Sequence, residues 1–202
     1  MGQPDRETEV KFYVLNLAAV ESRLKALAAV CLQPRAFEHN LRFDTPSGEL
    51  RKRHSVLRLR QSNNTILTFK GPSQEKDGVL SRREIEIQAD PFSESQQLLE
   101  ALGYMVVFIY EKYRAVFELD GCRVMLDELP YGSFVEIEGE DVPIHSLADR
   151  LNLHWGRAIT VSYQALMEKT RLDLGLTFQD LTFANFETLR TIPKIPGIQP
   201  AD

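Results

Sequence analysis

Charged residues in this chain recur two positions apart, in pairs that keep one sign: Arg58 with Arg60, Lys112 with Arg114, Glu84 with Glu86, and Glu136 with Glu138. Near the N-terminus Glu7, Glu9 and Lys11 continue the spacing, and Arg123 and Asp127 extend it further on. Like charges that share one face repel unless an ion of opposite sign lies between them. Paired carboxylates offer the oxygen ligands that a hard divalent cation takes, and paired arginines offer forked donors that grip a polyanion.

A spacing of two is the period of a β-strand, whose successive side chains point to opposite faces. Apolar residues fill the positions between the charges, as in Leu57-Arg58-Leu59-Arg60, Glu84-Ile85-Glu86-Ile87 and Val135-Glu136-Ile137-Glu138. Gly71-Pro72, Asp77-Gly78, Asp120-Gly121 and Tyr131-Gly132 are turn signals between such runs, so an antiparallel meander is expected. One reading leaves the charged side of that sheet in water. In the other the sheet curls and closes with its charges inward and helices over its apolar side, forming a tunnel. Solvated faces mix their signs, so segregation by strand weighs toward the tunnel. Its lumen would hold phosphates with Lys and Arg and a magnesium or manganese ion with Glu and Asp. A triphosphate carrying its metal satisfies both sets of charges.

Helices are expected at Asn16 to Val30, where Val20, Leu24, Leu27 and Ala28 share a side and Asn16 can cap. Others are expected from Ser93 to the stop at Gly103, from near Ile144 to Leu153, and from Ser162 to Thr170. After Thr170 the alternation fades, and TIPKIPGIQPAD carries three prolines, so residues 176–202 read as a mobile tail. Phe178, Phe183 and Phe186 could dock a short helix there, on the domain or on a partner. No internal repeat or linker divides the chain, and residues 1–175 read as one domain.

At 202 residues, 43% hydrophobic and 26% charged, the chain is long enough for a full core and is neither disordered nor fibrous. A net charge of −5 argues against a broad nucleic-acid surface. Apolar runs too short to span a bilayer, and an N-terminus unlike a signal peptide, read as a soluble, cytoplasmic protein without a membrane partner. Cys31 and Cys122 read as buried apolar residues, and the four histidines suggest no metal site.

Glu7-Thr8-Glu9-Val10-Lys11 resembles the Glu-x-Glu-x-Lys signature of the CYTH superfamily, the triphosphate tunnel metalloenzymes. That group includes class IV adenylyl cyclases, thiamine triphosphatases and inorganic triphosphatases. Further blocks appear in family order: FDTPSGEL from Phe43, LRLR from Leu57, LTFKGP from Leu67, SRREIEI from Ser81, EKYRAVFELDG from Glu111, VMLDELPYGSFVEIEG from Val124, and SYQAL from Ser162. The resemblance covers about residues 5 to 170.

It implies an α+β protein, mainly antiparallel β, built as a closed eight-stranded barrel with flanking helices. Lys11, Arg58, Arg60, Lys70, Lys112 and Arg114 then resemble the triphosphate clamp, with Arg123 an auxiliary. Glu7, Glu9, Glu136 and Glu138 resemble metal carboxylates that would take Mg2+ or Mn2+. Glu84, Glu86 and Asp127 fall on acidic family positions that either touch metal or orient a basic side chain. Asp44 reads as a turn or cap, Tyr163 as packed against the barrel, and only one of Arg82 and Arg83 can face inward.

In thiamine triphosphatases the resemblance requires a tyrosine two residues before the Asp-Thr-Pro turn, where this chain has Arg42. The expected activity is hydrolysis of inorganic triphosphate or a nucleoside triphosphate. The alternatives are cyclisation of ATP to cyclic AMP with pyrophosphate release, and a non-catalytic polyphosphate or nucleotide binder. The partner expected is a triphosphate-bearing small molecule, and a homodimer stays open as the assembly.

Overall fold

The computed structural model describes residues 6–76, 79–191 and 195–202, so the Asp77-Gly78 turn lies outside the described residues. The alternating runs form β1 (Arg6–Val14), β2 (Val30–Asp44), β3 (Val56–Gln61), β4 (Thr65–Lys70), β5 (Gln74–Lys76), β6 (Val79–Gln88), β7 (Met105–Leu119), β8 (Cys122–Leu129) and β9 (Gly132–Glu138). Between and after them come α1 (Leu17–Ala26), α2 (Glu49–Lys52), α3 (Phe92–Ala101), α4 (Asp141–Arg150), α5 (Tyr163–Leu174) and α6 (Phe183–Glu187).

Every strand pairing is antiparallel, in the order β1-β9-β8-β7-β2-β3-β4-β6. β6 returns to β1, with Arg6 opposite Arg83 and Glu9 opposite Leu80, so eight strands close into a ring and β5 stays outside it as a short partner of β6. Of the two sheet arrangements open to the sequence, the closed one forms.

The barrel is inverted relative to a soluble sandwich, because its apolar faces point outward. Val10, Phe12 and Val14 of β1 are almost completely buried against Val20 and Leu24 of α1 and Ile144, Leu147 and Leu151 on and beside α4. Leu41, Phe43 and Leu59 pack against Leu99 of α3. Full burial of each such side chain contributes about 1.5 to 3 kcal/mol, so cohesion comes from the layer between barrel and helices. With those residues turned out, period two turns Glu9, Lys11, Arg58 and Arg60 in.

Local chemistry sets the element ends. Asn16 caps α1 by accepting from the Ala19 N–H at 3.0 Å, and Ser162 caps α5 by accepting from Ala165 at 3.2 Å. Gly175 ends α5 with a left-handed φ of 66°. Gly132, at φ 150° in the β8–β9 turn, has no room for a side chain, since a Cβ would lie 2.7 Å from the Tyr13 ring.

The closing segment, expected to be mobile, is packed. Leu181, Phe186, Ile195 and Ala201 are buried. Leu181 donates to Ile109 O and accepts from Glu111 N, both at 2.9 Å, and Ala201 donates to Tyr13 O at 2.9 Å. Asp202 accepts from the Asn16 N–H at 2.7 Å. Buried apolar anchors and backbone hydrogen bonds hold the described residues of this segment on the domain. Phe186 docks its helix on the domain itself, against Tyr131. Cys122 is buried, but Cys31 is exposed in a run with exposed Val30 and Leu32 at the start of β2, which corrects the expectation for that cysteine. No helix among the described residues is long and apolar enough to cross a membrane.

Candidate functional site

The lumen of the ring forms part of an open cavity of about 1640 Å³ that also reaches α5 and the turn after β2. Lys11, Arg58, Arg60, Lys70, Lys112, Arg114 and Arg123 all line it, as do Glu9, Glu84, Glu86, Glu136 and Glu138. Of the predicted residues, Glu7 sits on β1 opposite Arg82, and its side chain lies outside the described residues.

Strand register assembles one wall. Arg42, Arg58, Thr68 and Glu86 face one another across β2, β3, β4 and β6. Arg58 Nη2 donates to Thr68 Oγ1 at 3.1 Å and to Glu86 Oε1 at 3.3 Å, and Arg58 Nη1 donates to the Tyr110 hydroxyl at 3.3 Å. One step along, Lys70 Nζ meets Glu84 at 2.7 Å. Glu84 and Glu86 therefore hold basic side chains, one of the two roles open to them from sequence.

The opposite wall is denser. Asp127 is fully buried, and its oxygens accept from Lys112 Nζ at 2.9 Å, from Arg114 Nε and Nη2 at 2.6 and 2.5 Å, and from the Tyr163 hydroxyl at 2.9 Å. Arg114 also reaches Glu136 at 2.5 Å, and Lys11 Nζ meets the other Glu136 oxygen at 3.1 Å. Asp127 thus lies beneath the cations, with three of its four donors on Oδ2 and one on Oδ1. The acidic position signalled by sequence is real, but strand closure puts it behind Lys112 and Arg114.

Sequence reasoning passed over Glu38, Arg42 as a tunnel cation, and Tyr110. Glu38 is 2% exposed and sits between Lys112 at 3.7 Å and Arg60 at 3.8 Å. The signal was available, because Glu38, Asn40, Arg42 and Asp44 alternate with the apolar Leu41 and Phe43. Arg82 is the inward member of its pair, meeting Glu9 at 2.9 Å. Asp44 is a cap, accepting from the backbone of Thr45, Leu50 and Arg51.

The field of the cations sets the acids. Burial alone would raise the Glu136 carboxyl, but Lys11, Arg114 and Lys112 overcome it and hold it well below the ordinary range. Burial likewise opposes ionisation of Glu38, and Lys112, Arg114, Arg60 and Arg58 reverse the effect. Burial lowers the Arg42 guanidinium, and neighbouring Arg58 and Arg82 push the same way. Carboxyls held below their ordinary value of 4.5 stabilise the fold above that pH and lose this contribution as pH falls through the folded values. The thermal midpoint is expected to drop steeply below about pH 4.5, and Glu136→Gln is expected to shallow that drop. An acid limb identical in the variant, followed by calorimetry, would remove Glu136 from the linkage.

Among the described residues no three His, Cys, Asp or Glu side chains gather into a cluster able to hold a metal ion alone. Magnesium and manganese do not need such a cage, since one or two carboxylates suffice when phosphate oxygens and water complete the shell. Glu9 and Glu138 are direct register partners on β1 and β9, both lining the lumen, with Glu136 one inward position further along β9. This donor set fits a hard divalent cation bound together with an anionic guest.

A model described as the CYTH domain matches residues 5–154. No curated protein matches the chain by sequence. Among solved structures, an adenylate cyclase candidate from Vibrio parahaemolyticus superposes with a TM-score of 0.73 at 23% identity, covering 81% of this chain and 98% of its own. The PH1012 protein from Pyrococcus horikoshii gives 0.66 at 23% identity, covering 78% and 96%. An adenylyl cyclase candidate from Hippeastrum, described as having a dominant triphosphatase activity, gives 0.62 at 22% identity, covering 80% and 95%. These likenesses establish the shared fold. With the family model spanning most of the chain and the closed ring bearing its charges inward, the protein belongs to the CYTH family.

Proposed function

We propose that this protein is a metal-dependent enzyme that hydrolyses a triphosphate, inorganic or nucleoside-linked, inside its tunnel. The observation carrying this reading is the convergence of Lys11, Arg58, Arg60, Lys70, Lys112 and Arg114, from four different strands, on one lumen that Glu9, Glu136 and Glu138 also line. Phosphoryl transfer needs positioning and charge neutralisation more than covalent chemistry, and a rigid ring of forked donors supplies both. Arg58 and Arg60 on one wall, and Lys112 and Arg114 on the other, would hold the non-bridging oxygens in line. Lys11, fixed by Glu136, would meet phosphate oxygens on the β1 side. Magnesium or manganese held by Glu9 and Glu138, with Glu136 close by, would neutralise phosphate charge and lower the pKa of a bound water.

Cyclisation of ATP is the second reading, supported by likeness to the Vibrio protein described as an adenylate cyclase candidate. The Hippeastrum protein, described as dominated by triphosphatase activity, supports hydrolysis instead. Product analysis separates them, using inorganic triphosphate and ATP, each with magnesium and with manganese. Orthophosphate without cyclic AMP is the expected result. Cyclic AMP with pyrophosphate would replace the hydrolase reading, and binding without product from either substrate would overturn both.

A further inference from the structure

We infer that Tyr163, at the start of α5 and beyond the residues matched by the family model, is a positioning residue that fixes the tunnel cations through two different parts of one side chain. This rests on the proposed triphosphate-binding tunnel and adds a structural element to it. The ring faces Lys11, whose Nζ lies 4.3 Å from the centroid, and Lys112, whose Nζ lies 5.5 Å away. The hydroxyl donates to Asp127 Oδ2 at 2.9 Å, the same oxygen that accepts from Lys112 and Arg114. Lys11, Lys112, Arg114 and Asp127 all fall within residues 5–154, whereas Tyr163 does not.

Each contact has a separate effect. An ammonium over an aromatic face is drawn to the ring's negative quadrupole, so Lys11 is held between the ring and Glu136 while keeping donors free for a phosphate. Asp127, fully buried, takes four donors, and the phenol is the one that comes from outside β7. Without that fourth donor the carboxylate can turn, and Lys112 and Arg114 turn with it. The plate itself cannot drift. Ser162 caps the helix, Leu166 and Met167 bury the following turn, and Tyr131 donates to the Tyr163 carbonyl at 3.2 Å. Because the phenol O–H donates its hydrogen bond to a carboxylate, it acts through Asp127 and not as a base on substrate.

The test is titration calorimetry of inorganic triphosphate without metal, on the full-length wild-type protein, Tyr163→Phe, Tyr163→Leu, Lys11→Met and the Lys11→Met/Tyr163→Leu double variant. Wild-type protein that does not bind would overturn the tunnel reading itself, before Tyr163 is addressed. Given wild-type binding, Tyr163→Phe is expected to weaken Kd about 3-fold and Tyr163→Leu about 10-fold or more, at unchanged stoichiometry. The double variant is expected to bind more tightly than the product of the single effects, because the ring acts through Lys11. Reduced stoichiometry at unchanged Kd means a purely structural role and overturns the inference. So does additivity in the double variant, or wild-type Kd in Tyr163→Phe and Tyr163→Leu alike. Tyr163→Phe keeps the ring and the packing, so it remains informative if the leucine variants fail to fold.

Discussion

Asp127→Asn is expected to destabilise the ligand-free protein by about 3 to 5 kcal/mol, the range for removing one partner from a buried charge network. Asp127 has no solvent exposure and neutralises Lys112, itself 2% exposed, together with Arg114. Asparagine keeps the shape but leaves both cations short of a negative charge, and its amide group adds donors where donors are already in excess. Glu38 and Glu136 compensate in part, since each also pairs with one of these cations. Urea denaturation near neutral pH measures the loss, and a change below about 1 kcal/mol would contradict the placement of Asp127 as keystone of that wall. Inorganic triphosphate is expected to raise the thermal midpoint more in the variant than in the wild type, because the guest's anions substitute for the missing carboxylate.

Arg58→Ala is expected to behave in the opposite way, with a large loss of function and little loss of stability. Arg58 stands on the thinner wall, beside Arg42 and Arg60, and burial of its guanidinium is offset by Tyr110, Glu38 and Glu86. Its removal relieves repulsion on Arg42 and Arg60, for both of which Arg58 acts against the charged form. The Glu86 carboxylate it leaves behind keeps Thr68 as a donor at 2.7 Å and is partly open to water. Removing a preorganised donor from a dry phosphoryl-transfer site lowers turnover by about 10²- to 10³-fold. Steady-state kinetics with inorganic triphosphate, beside a thermal melt, reads both quantities. Wild-type turnover would remove Arg58 from the clamp, and a melt displaced as far as that of Asp127→Asn would make it structural.

These two arginine environments show what was legible in the sequence. Alternation along Leu57–Arg60 and Val135–Glu138 assigns each residue a face, because period two is local. Which strands become neighbours is non-local, so the apposition of Lys11 with Glu136, and of Arg114 with Asp127, appears only when the ring closes. For the same reason Asp127 read as a metal candidate, since its residue type is equally suited to coordinate an ion or to hold an arginine. The single-sign pairs carry information about cross-strand partners, which the structure shows directly. Glu86 balances Arg58, and Glu84 balances Lys70. Tyr163 was legible as a packed residue, whereas its ring beneath Lys11 depends on the angle at which α5 meets the barrel. The closing segment was misread because proline content reports on regular structure and says little about anchoring by Phe186, Ile195 and Ala201.

Ring closure also bears on how the chain is made. β1 leaves the ribosome before the other strands of the ring, yet its partner β9 follows more than a hundred residues later, with Lys11 opposite Glu136. A nascent chain that has completed β2, β3, β4 and β6 therefore exposes unpaired sheet edges, the template on which chains stack into aggregates. The inner face of that unfinished sheet carries Glu38, Arg42, Arg58, Arg60, Lys70, Glu84 and Glu86, all hydrated while the ring is open. Stacking two such sheets on their inner faces would strip water from every one of these charges. The residues that crowd the lumen of the finished protein would thus serve during synthesis as gatekeepers, and bleaching the tunnel of charge is expected to lower soluble yield, measured by expression of the charge-depleted variant beside wild type.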